Sequence, residues 1–217
     1  MNGCCPISTP FCSPTGCSAS GPISTTSSSK SGSCFSQNST LQLASGDLIY
    51  ISNAAVGDVV LVSSRDGKRF SYQPIVFIPH GPNLVETIFL VIATQTRKSI
   101  HVTPDHLVLG GKCGTTFDVT AASSLNISDC VRTIDGDETI VSINKFLSQG
   151  VYTVVTQSAD DLLVVNQIVA SPFAGNHEVA NAFYNIIRSV NKFIPSISNF
   201  SMLRKVVSLF GDIAVSF

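Results

Sequence analysis

The sequence has little charge and no long apolar run. Charged residues make up 12% of its 217 residues, the net charge is −1, and tryptophan is absent. No basic patch indicates a nucleic-acid partner, and no acidic tail indicates a basic one. No apolar run approaches the roughly 20 residues that a membrane-spanning helix needs. Residues 1–12 lack the basic region and apolar core of a secretory signal, which predicts either a cytosolic protein or a chain whose true N-terminus lies upstream.

Residues 1–33 form a serine- and cysteine-rich segment with a single charged residue, Lys30. This composition buries too little apolar surface to offset the entropy of ordering, so it predicts a disordered segment or the tail of a cysteine-rich module. The cysteines of the segment lack the paired C-x-x-C spacing of zinc sites, and no metal is predicted. Disulfides are favoured there if the chain is exported.

Residues 34 to about 172 have the pattern of an all-β fold. Short apolar runs recur at about ten-residue spacing with turn signals between them, which is typical of a closed or sandwich-like β architecture. Asp66-Gly67 between two of the runs predicts a tight hairpin. The runs are residues 41–43, 58–62, 74–78, 88–92, 99–102, 107–109, 139–143, 151–155 and 162–165.

Residues 176–217 change to a helical period. Apolar residues three and four apart predict a helix over 176–194, with Asn176 as its N-cap and Pro195 as its end. A second short helix is predicted over residues 202–210. Two interpretations remain open: a helical hairpin packed on the β-domain, or a flap that binds a lipid or a membrane surface.

Cys34 and the sequence Thr103-Pro104-Asp105-His106 carry the chemistry. They lie 69 residues apart, and a compact β-fold can bring them together because strand ends converge. Attack of the Cys34 thiol on the carbonyl of Ser33 would exchange an amide for a thioester, and that exchange needs the leaving nitrogen to be protonated. A histidine steadied by a threonine supplies such a proton. The alternative is that His106 is an ordinary surface or capping histidine.

Several ordered motifs resemble the Hint domain of Hedgehog-type proteins. They are Cys34-Phe35, Val56-Gly57-Asp58, Thr103-Pro104-Asp105-His106-Leu107 and the stretches 150–156 and 163–171. The similarity covers about residues 34–175, and the tail, residues 176–217, fits the family's sterol-recognition region in position and character. Inteins share this fold but end at a splice junction, whereas this chain continues into a helical tail.

The resemblance implies a self-cleaving domain whose substrate is its own N-terminal segment. Cys34 would form a thioester with Ser33, assisted by Thr103 and His106. A sterol such as cholesterol, or water, would then release residues 1–33, and no cofactor or metal is implied. His80 falls where the family has its acid/base residue for this second step, although it also fits an ordinary loop histidine. Secretion, cell–cell signalling, and sterol or membrane contact through 176–217 follow from the family alone.

Two departures from the family pattern keep a second interpretation open. Ser33 stands where relatives usually have glycine, which predicts slower cleavage, and Pro172 stands where they have a second cysteine. A catalytically decayed relative acting as a secreted or lipid-binding module is the main alternative, and a cysteine protease acting in trans is a weaker one. Cys113 and Cys130 lie outside the matched motifs and are predicted to be core or loop thiols.

Overall fold

The computed structural model describes residues 11–13, 16–18, 34–79, 86–158 and 160–174, together with Asn185, Arg188 and Ser189. Contacts divide the chain into two units, Met1–Lys30 and Ser31–Phe217. In the first unit, strands β1 (Phe11–Ser13) and β2 (Gly16–Ser18) pair antiparallel. The prediction of a disordered segment did not include this hairpin, and the rest of residues 1–33 lies outside the described residues.

The second unit is built from antiparallel strands, which confirms the predicted all-β class. Short 3-10 turns occupy Ile51–Asn53 and Ala122–Ser124. The strands are β3 (Thr40–Gln42), β4 (Leu48–Tyr50), β5 (Val59–Ser63), β6 (Phe70–Phe77), β7 (Glu86–Thr94), β8 (Ser99–Val102), β9 (His106–Gly111), β10 (Asp118–Ala121), β11 (Cys130–Thr133), β12 (Gly136–Gln149), β13 (Val155–Thr156), β14 (Leu162–Val165) and β15 (Ile168–Ala174).

The strands follow the order β13-β6-β5-β14-β15-β9-β11-β12-β7-β8, with β3, β4 and β10 attached beside it. All four residues of β14 are buried, so its continuous apolar run reflects cover on both faces. In β8, by contrast, Ile100 and Val102 are buried and alternate with half-buried Ser99 and His101. This alternation points Val102 into the core immediately before Thr103.

Two tight turns set the register of central hairpins. The Asp66-Gly67 hairpin is confirmed, because β5 and β6 pair around it and Gly67 has a φ of 71°. A β-carbon at Gly67 would come within 2.6 Å of the Arg132 side chain, so glycine is required for space as well as conformation. Asn166 and Gln167, both with positive φ, join β14 to β15 in the manner of a type I′ turn.

Some strands differ from their predicted lengths. The run 139–143 is part of the 14-residue β12, which pairs first with β11 and then with β7 across a bulge near Val141. The second half of β12 is largely exposed, so its residues give little apolar signal. The run 151–155 is strand only at Val155, because the preceding residues form the site described below. Strands β10 and β11 have mixed polarity and were not predicted.

The helical tail lies largely outside the described residues. Asn185, Arg188 and Ser189 are helical, at positions inside the helix predicted over 176–194. The second predicted helix, over 202–210, lies outside the described residues altogether. Among the residues that are described, no helix is long and apolar enough to cross a membrane.

Candidate active site

Cys34 and Thr103 are joined by two hydrogen bonds despite their distance in sequence. The Cys34 N–H donates to Thr103 Oγ1 at 3.1 Å, and the Thr103 N–H donates to the Cys34 carbonyl at 3.0 Å. Both residues are buried, with Cys34 1% and Thr103 0% exposed. The nitrogen that donates this first hydrogen bond is the nitrogen of the Ser33–Cys34 peptide bond. The Thr103 hydroxyl therefore contacts the nitrogen of the peptide bond that the sequence predicts to be cleaved.

The adjoining residue fixes this segment from the other side. Phe35 N–H donates to the Tyr152 carbonyl at 2.8 Å, and Tyr152 N–H donates back to the Phe35 carbonyl at 3.0 Å. Phe35 also bridges to Val102 and is fully buried. Residues 34–36 are thus held between the end of β8 and the segment around Tyr152, which explains why residues 151–154 do not continue a regular strand.

A tight turn carries His106 to the same place. The His106 N–H donates to the Thr103 carbonyl at 3.0 Å, which closes a four-residue turn with Pro104 in its second position. Proline favours that position because its φ is already close to the value the turn requires. The His106 ring then packs edge-to-face against Phe35, with 4.1 Å between centroids. The short sequence Thr103–His106 therefore delivers two polar side chains beside the Cys34 segment.

Burial keeps both candidate proton carriers neutral. Burial raises the pKa of the Cys34 thiol to about 12. Burial likewise lowers the pKa of His106 to about 3, opposed by a hydrogen bond to the backbone of Ser171 that raises it. Because that bond favours the protonated imidazole, His106 is its donor and the Ser171 carbonyl its acceptor. At neutral pH the thiol holds its proton and the imidazole is uncharged.

Ser171 lies in a bulge of β15. Ala170 pairs with Val108 and Ala174 pairs with His106, so four steps along β15 match two along β9. A bulge of this kind re-aims backbone groups, and bulges are common beside active sites. Pro172, the second departure from the family pattern, has no N–H to donate and lies between the paired residues Ala170 and Ala174.

Thr153 is a further residue of the site that the sequence did not reveal. Its side chain is 4% exposed, and its hydroxyl donates to the Pro172 carbonyl at 2.8 Å. The hydroxyl therefore ties the segment paired with Phe35 to the bulge that holds His106. A threonine in an apolar run carries no sequence signal for this role, because the acceptor is a backbone carbonyl 19 residues away.

The remaining predicted site residues are only partly accounted for. Ser33 and His80 lie outside the described residues, and the role of each stays a prediction. The prediction for Cys113 and Cys130 as core or loop thiols is wrong, because they form a disulfide. Their pairing follows from β11 lying against β9, a contact that the sequence pattern did not show. Among the described residues no group of three or more metal-binding side chains converges.

Comparison with known proteins agrees with this geometry. The sequence matches the Hint module family over residues 21–214. The Tiggy-winkle hedgehog protein of Danio rerio is 25% identical over 173 residues, which cover 76% of this chain and 42% of that protein. The Indian hedgehog protein of Xenopus laevis is 30% identical over 156 residues, covering 67% and 37%. The chain thus spans less than half the length of these curated relatives.

Solved structures show the same fold. The gp41-1 intein has a TM-score of 0.51 at 19% identity, covering 65% of this chain and 99% of the intein. A DnaB intein from Synechocystis sp. has a TM-score of 0.53 at 14% identity, covering 66% and 99%. Fold and relatives together support an autoprocessing domain. The chain therefore belongs to the Hint module family, and it is a Hint domain of the hedgehog type.

Proposed function

We propose that this domain cleaves its own chain between Ser33 and Cys34. Cys34 Sγ attacks the Ser33 carbonyl carbon, a carbon–sulfur bond forms, and the carbon–nitrogen bond of the peptide breaks. The thiol proton passes to His106, and the imidazole delivers a proton to the leaving Cys34 nitrogen. The products of this step are a thioester on Cys34 and a free α-amino group, with no net gain or loss of protons.

The observation that carries the proposal is the hydrogen bond from the Cys34 N–H to Thr103 Oγ1. As the nitrogen gains a proton and positive charge, its N–H groups become stronger donors. The bond to Thr103 therefore strengthens in the transition state, which is the condition for an interaction to accelerate a reaction. A hydroxyl that only accepted a backbone hydrogen bond for stability would not bind the transition state more tightly than the ground state.

Neutral His106 suits this step. An imidazolium could not accept the thiol proton, and the burial that lowers its pKa keeps the imidazole neutral over the physiological range. The high pKa of Cys34 means that a preformed thiolate is scarce. The thiol must accordingly lose its proton as it attacks. Removal of the proposed base, His106, should therefore lower the rate of cleavage strongly.

A hydroxyl nucleophile completes the reaction in this proposal. Its oxygen attacks the thioester, the carbon–sulfur bond breaks, and its proton returns to the Cys34 sulfur. The hedgehog relatives favour a sterol such as cholesterol, and water is the alternative nucleophile. His80 is the proposed general base of this step, and residues 176–217 are the proposed contact with sterol or membrane. A role in cell–cell signalling is proposed from the same relatives.

The proposed compartment is the secretory pathway or the extracellular space. The Cys113–Cys130 disulfide supports it, because disulfides persist in oxidising compartments and are rare in the cytosol. The hedgehog relatives point the same way. This disulfide also affects how the thioester should be assayed, since a dithiol would reduce it at the same time.

The test is intact mass spectrometry of the purified chain treated with hydroxylamine, which cleaves thioesters and leaves disulfides intact. Wild type should release residues 1–33 as a hydroxamate, and Cys34→Ala should stay whole while melting at a similar temperature. The matched control is the double variant Cys113→Ala/Cys130→Ala, which loses two other cysteines and keeps Cys34. Cleavage in this control, and none in Cys34→Ala, identifies the thiol.

The alternative function, a decayed relative that no longer cleaves, makes the opposite prediction. A folded wild-type chain that stays whole in hydroxylamine would exclude the thioester and leave the binding-module interpretation. Where cleavage does occur, adding cholesterol in detergent in place of hydroxylamine identifies the second nucleophile. A product heavier by one sterol supports the sterol, and a product ending in a free carboxyl supports water.

A further inference from the structure

Arg188 is a buried arginine at a helical position of the chain. Its side chain belongs to a residue only 4% exposed, and its Nε donates to the Thr156 carbonyl at 2.8 Å. A terminal guanidinium nitrogen donates to Asn185 Oδ1 at 2.9 Å, from one helical turn earlier. Arginine is almost never buried without such partners, because removing its charge from water is costly.

The same guanidinium lies over the bulge that serves the active site. Its central carbon is 6.0 Å from the centroid of the Phe173 ring, within the range of a cation–π contact. Phe173 N–H donates to the Ser171 hydroxyl at 3.0 Å, and the Ser171 backbone hydrogen-bonds His106. Two residues, Phe173 and Ser171, therefore connect the arginine to the proposed catalytic histidine.

Arg188 also contacts the segment that is hydrogen-bonded to the bulge. Thr156 ends β13, and Thr153 of the same segment donates to the Pro172 carbonyl. The guanidinium thus bridges the Thr153–Thr156 segment and Phe173, a residue of the bulge itself. A cation that lies over a ring while a separate nitrogen donates a hydrogen bond suits arginine better than lysine.

We infer that Arg188 is a positioning residue for His106: by clamping Phe173 and Thr156, it holds the Ser171 carbonyl where it orients the imidazole. The inference deepens the proposed self-cleavage and rests on it. It means that the contacts of Arg188 with Thr156 and Phe173 are coupled to the first step, thioester formation. Arg188 then contributes to the chemistry before any second nucleophile arrives.

The test compares Arg188→Ala, Arg188→Lys and the exposed control Arg69→Ala in the full chain. Two quantities are measured: the rate of hydroxylamine cleavage, and the imidazole resonances of His106 in histidine-labelled protein, assigned with His106→Gln. Arg188→Ala and Arg188→Lys should each slow cleavage on the order of tenfold and shift the His106 resonances, because small misplacements of a catalytic group are costly. Arg69→Ala should change neither.

Unchanged His106 resonances and cleavage in a folded Arg188→Ala chain would overturn the inference. Full restoration by Arg188→Lys would also overturn it, because lysine supplies the charge without the stacked plane. If Arg188→Ala does not fold, Phe173→Leu removes the stacked ring and must shift the His106 resonances. If wild type fails to cleave, the proposed function fails, while the His106 resonances still decide whether Arg188 positions the histidine.

Discussion

Two clusters of buried polar side chains lie in the same β-domain and treat charge in opposite ways. At the active site, Cys34 and His106 are neutral because burial disfavours their charged forms. Beside the turn between β7 and β8, Glu138 of β12 is 5% exposed and ionised. The contrast separates a candidate active site whose titratable groups are neutral from a cluster whose charged groups join strands.

The two clusters differ in the number of hydrogen-bond partners around each titratable side chain. Burial alone would raise the pKa of Glu138, but hydrogen bonds from Lys98, Thr94 and Thr96 outweigh it and lower the pKa to about 2. Burial would lower the pKa of Lys98, and its bonds to Asp135 and Glu138 raise it instead. Each charge in this cluster has a charged partner, whereas His106 has a backbone carbonyl.

The comparison teaches that burial by itself does not set protonation in this protein. Desolvation acts at both places, and at Glu138 and Lys98 the nearby hydrogen-bond partners outweigh it. Glu138, Lys98 and Asp135 form an ionic cluster. This ionic cluster joins the β7–β8 and β11–β12 hairpins, since Thr94 ends β7 and Glu138 lies in β12. It should therefore matter for stability, and the neutral pair should matter for rate.

The largest effect is expected at the histidine. His106→Ala should lower the rate of hydroxylamine-detected cleavage by about 10²- to 10⁴-fold, because it removes the group that moves the proton. The control is His101→Ala, which changes a half-buried histidine on neighbouring β8. Rates are compared at a temperature where circular dichroism shows each variant folded. Equal losses in both variants would contradict a special role for His106.

Substitutions in the ionic cluster should lower the stability of the fold. Glu138→Ala should lower the free energy of unfolding by about 3 kcal/mol, since it leaves Lys98 buried beside a single, largely exposed partner, Asp135. Urea unfolding measures this change, and Asp135→Ala, at an exposed position, should cost no more than about 1 kcal/mol. Cleavage by folded Glu138→Ala should match wild type. A rate loss as large as that of His106→Ala would erase the distinction between the two clusters.

A smaller effect is expected at the threonine. Thr103→Val keeps the shape but removes the acceptor of the Cys34 N–H, so cleavage should slow by about 10- to 100-fold. Thr116→Val, at an exposed position, is the matched control. Both are followed by single-turnover mass spectrometry. If Thr103→Val lowers stability but leaves the rate of the folded fraction unchanged, the hydroxyl is structural and the carrying observation is lost.

Acid should act on the two clusters in separate pH windows. The pKa of His106 is about 3 when folded against an ordinary 6.5, so the unfolded chain binds a proton first as pH falls below 6.5. Stability should therefore decrease there by up to about 1.4 kcal/mol per pH unit. The pKa of Glu138 is about 2 in the folded chain against an ordinary 4.5. Its protonation therefore lowers stability only below pH 4.5.

Urea unfolding at several pH values distinguishes the two groups. His106→Gln should flatten the decline between pH 6.5 and 4.5, and Glu138→Gln should leave that interval unchanged. Burial also lowers the pKa of half-buried His101. This histidine accounts for the part of the decline in stability that remains in His106→Gln, and His101→Gln should remove that part. An unaltered slope in His106→Gln would show that His106 titrates normally in the folded chain.

Apolar periodicity was enough to predict the class of the fold, and ordered motifs were enough to predict the family. The strands over 99–102 and 162–165 match their predicted runs, because their apolar residues face a core on one or both sides. β10 and β11 were missed because their pairing partners, rather than their own residues, make them strands. The long exposed half of β12 was missed for the same reason.

Local sequence determined the turn that carries Thr103 and His106, since proline at its second position favours the bend without tertiary help. Only the tertiary structure decided that Cys34 would meet this turn, that Cys113 would pair with Cys130, and that Thr153 and Arg188 would brace the β15 bulge. Those contacts join residues 15 to 69 positions apart. Backbone carbonyls and desolvation act through space, so no sequence pattern records which side chain will meet them.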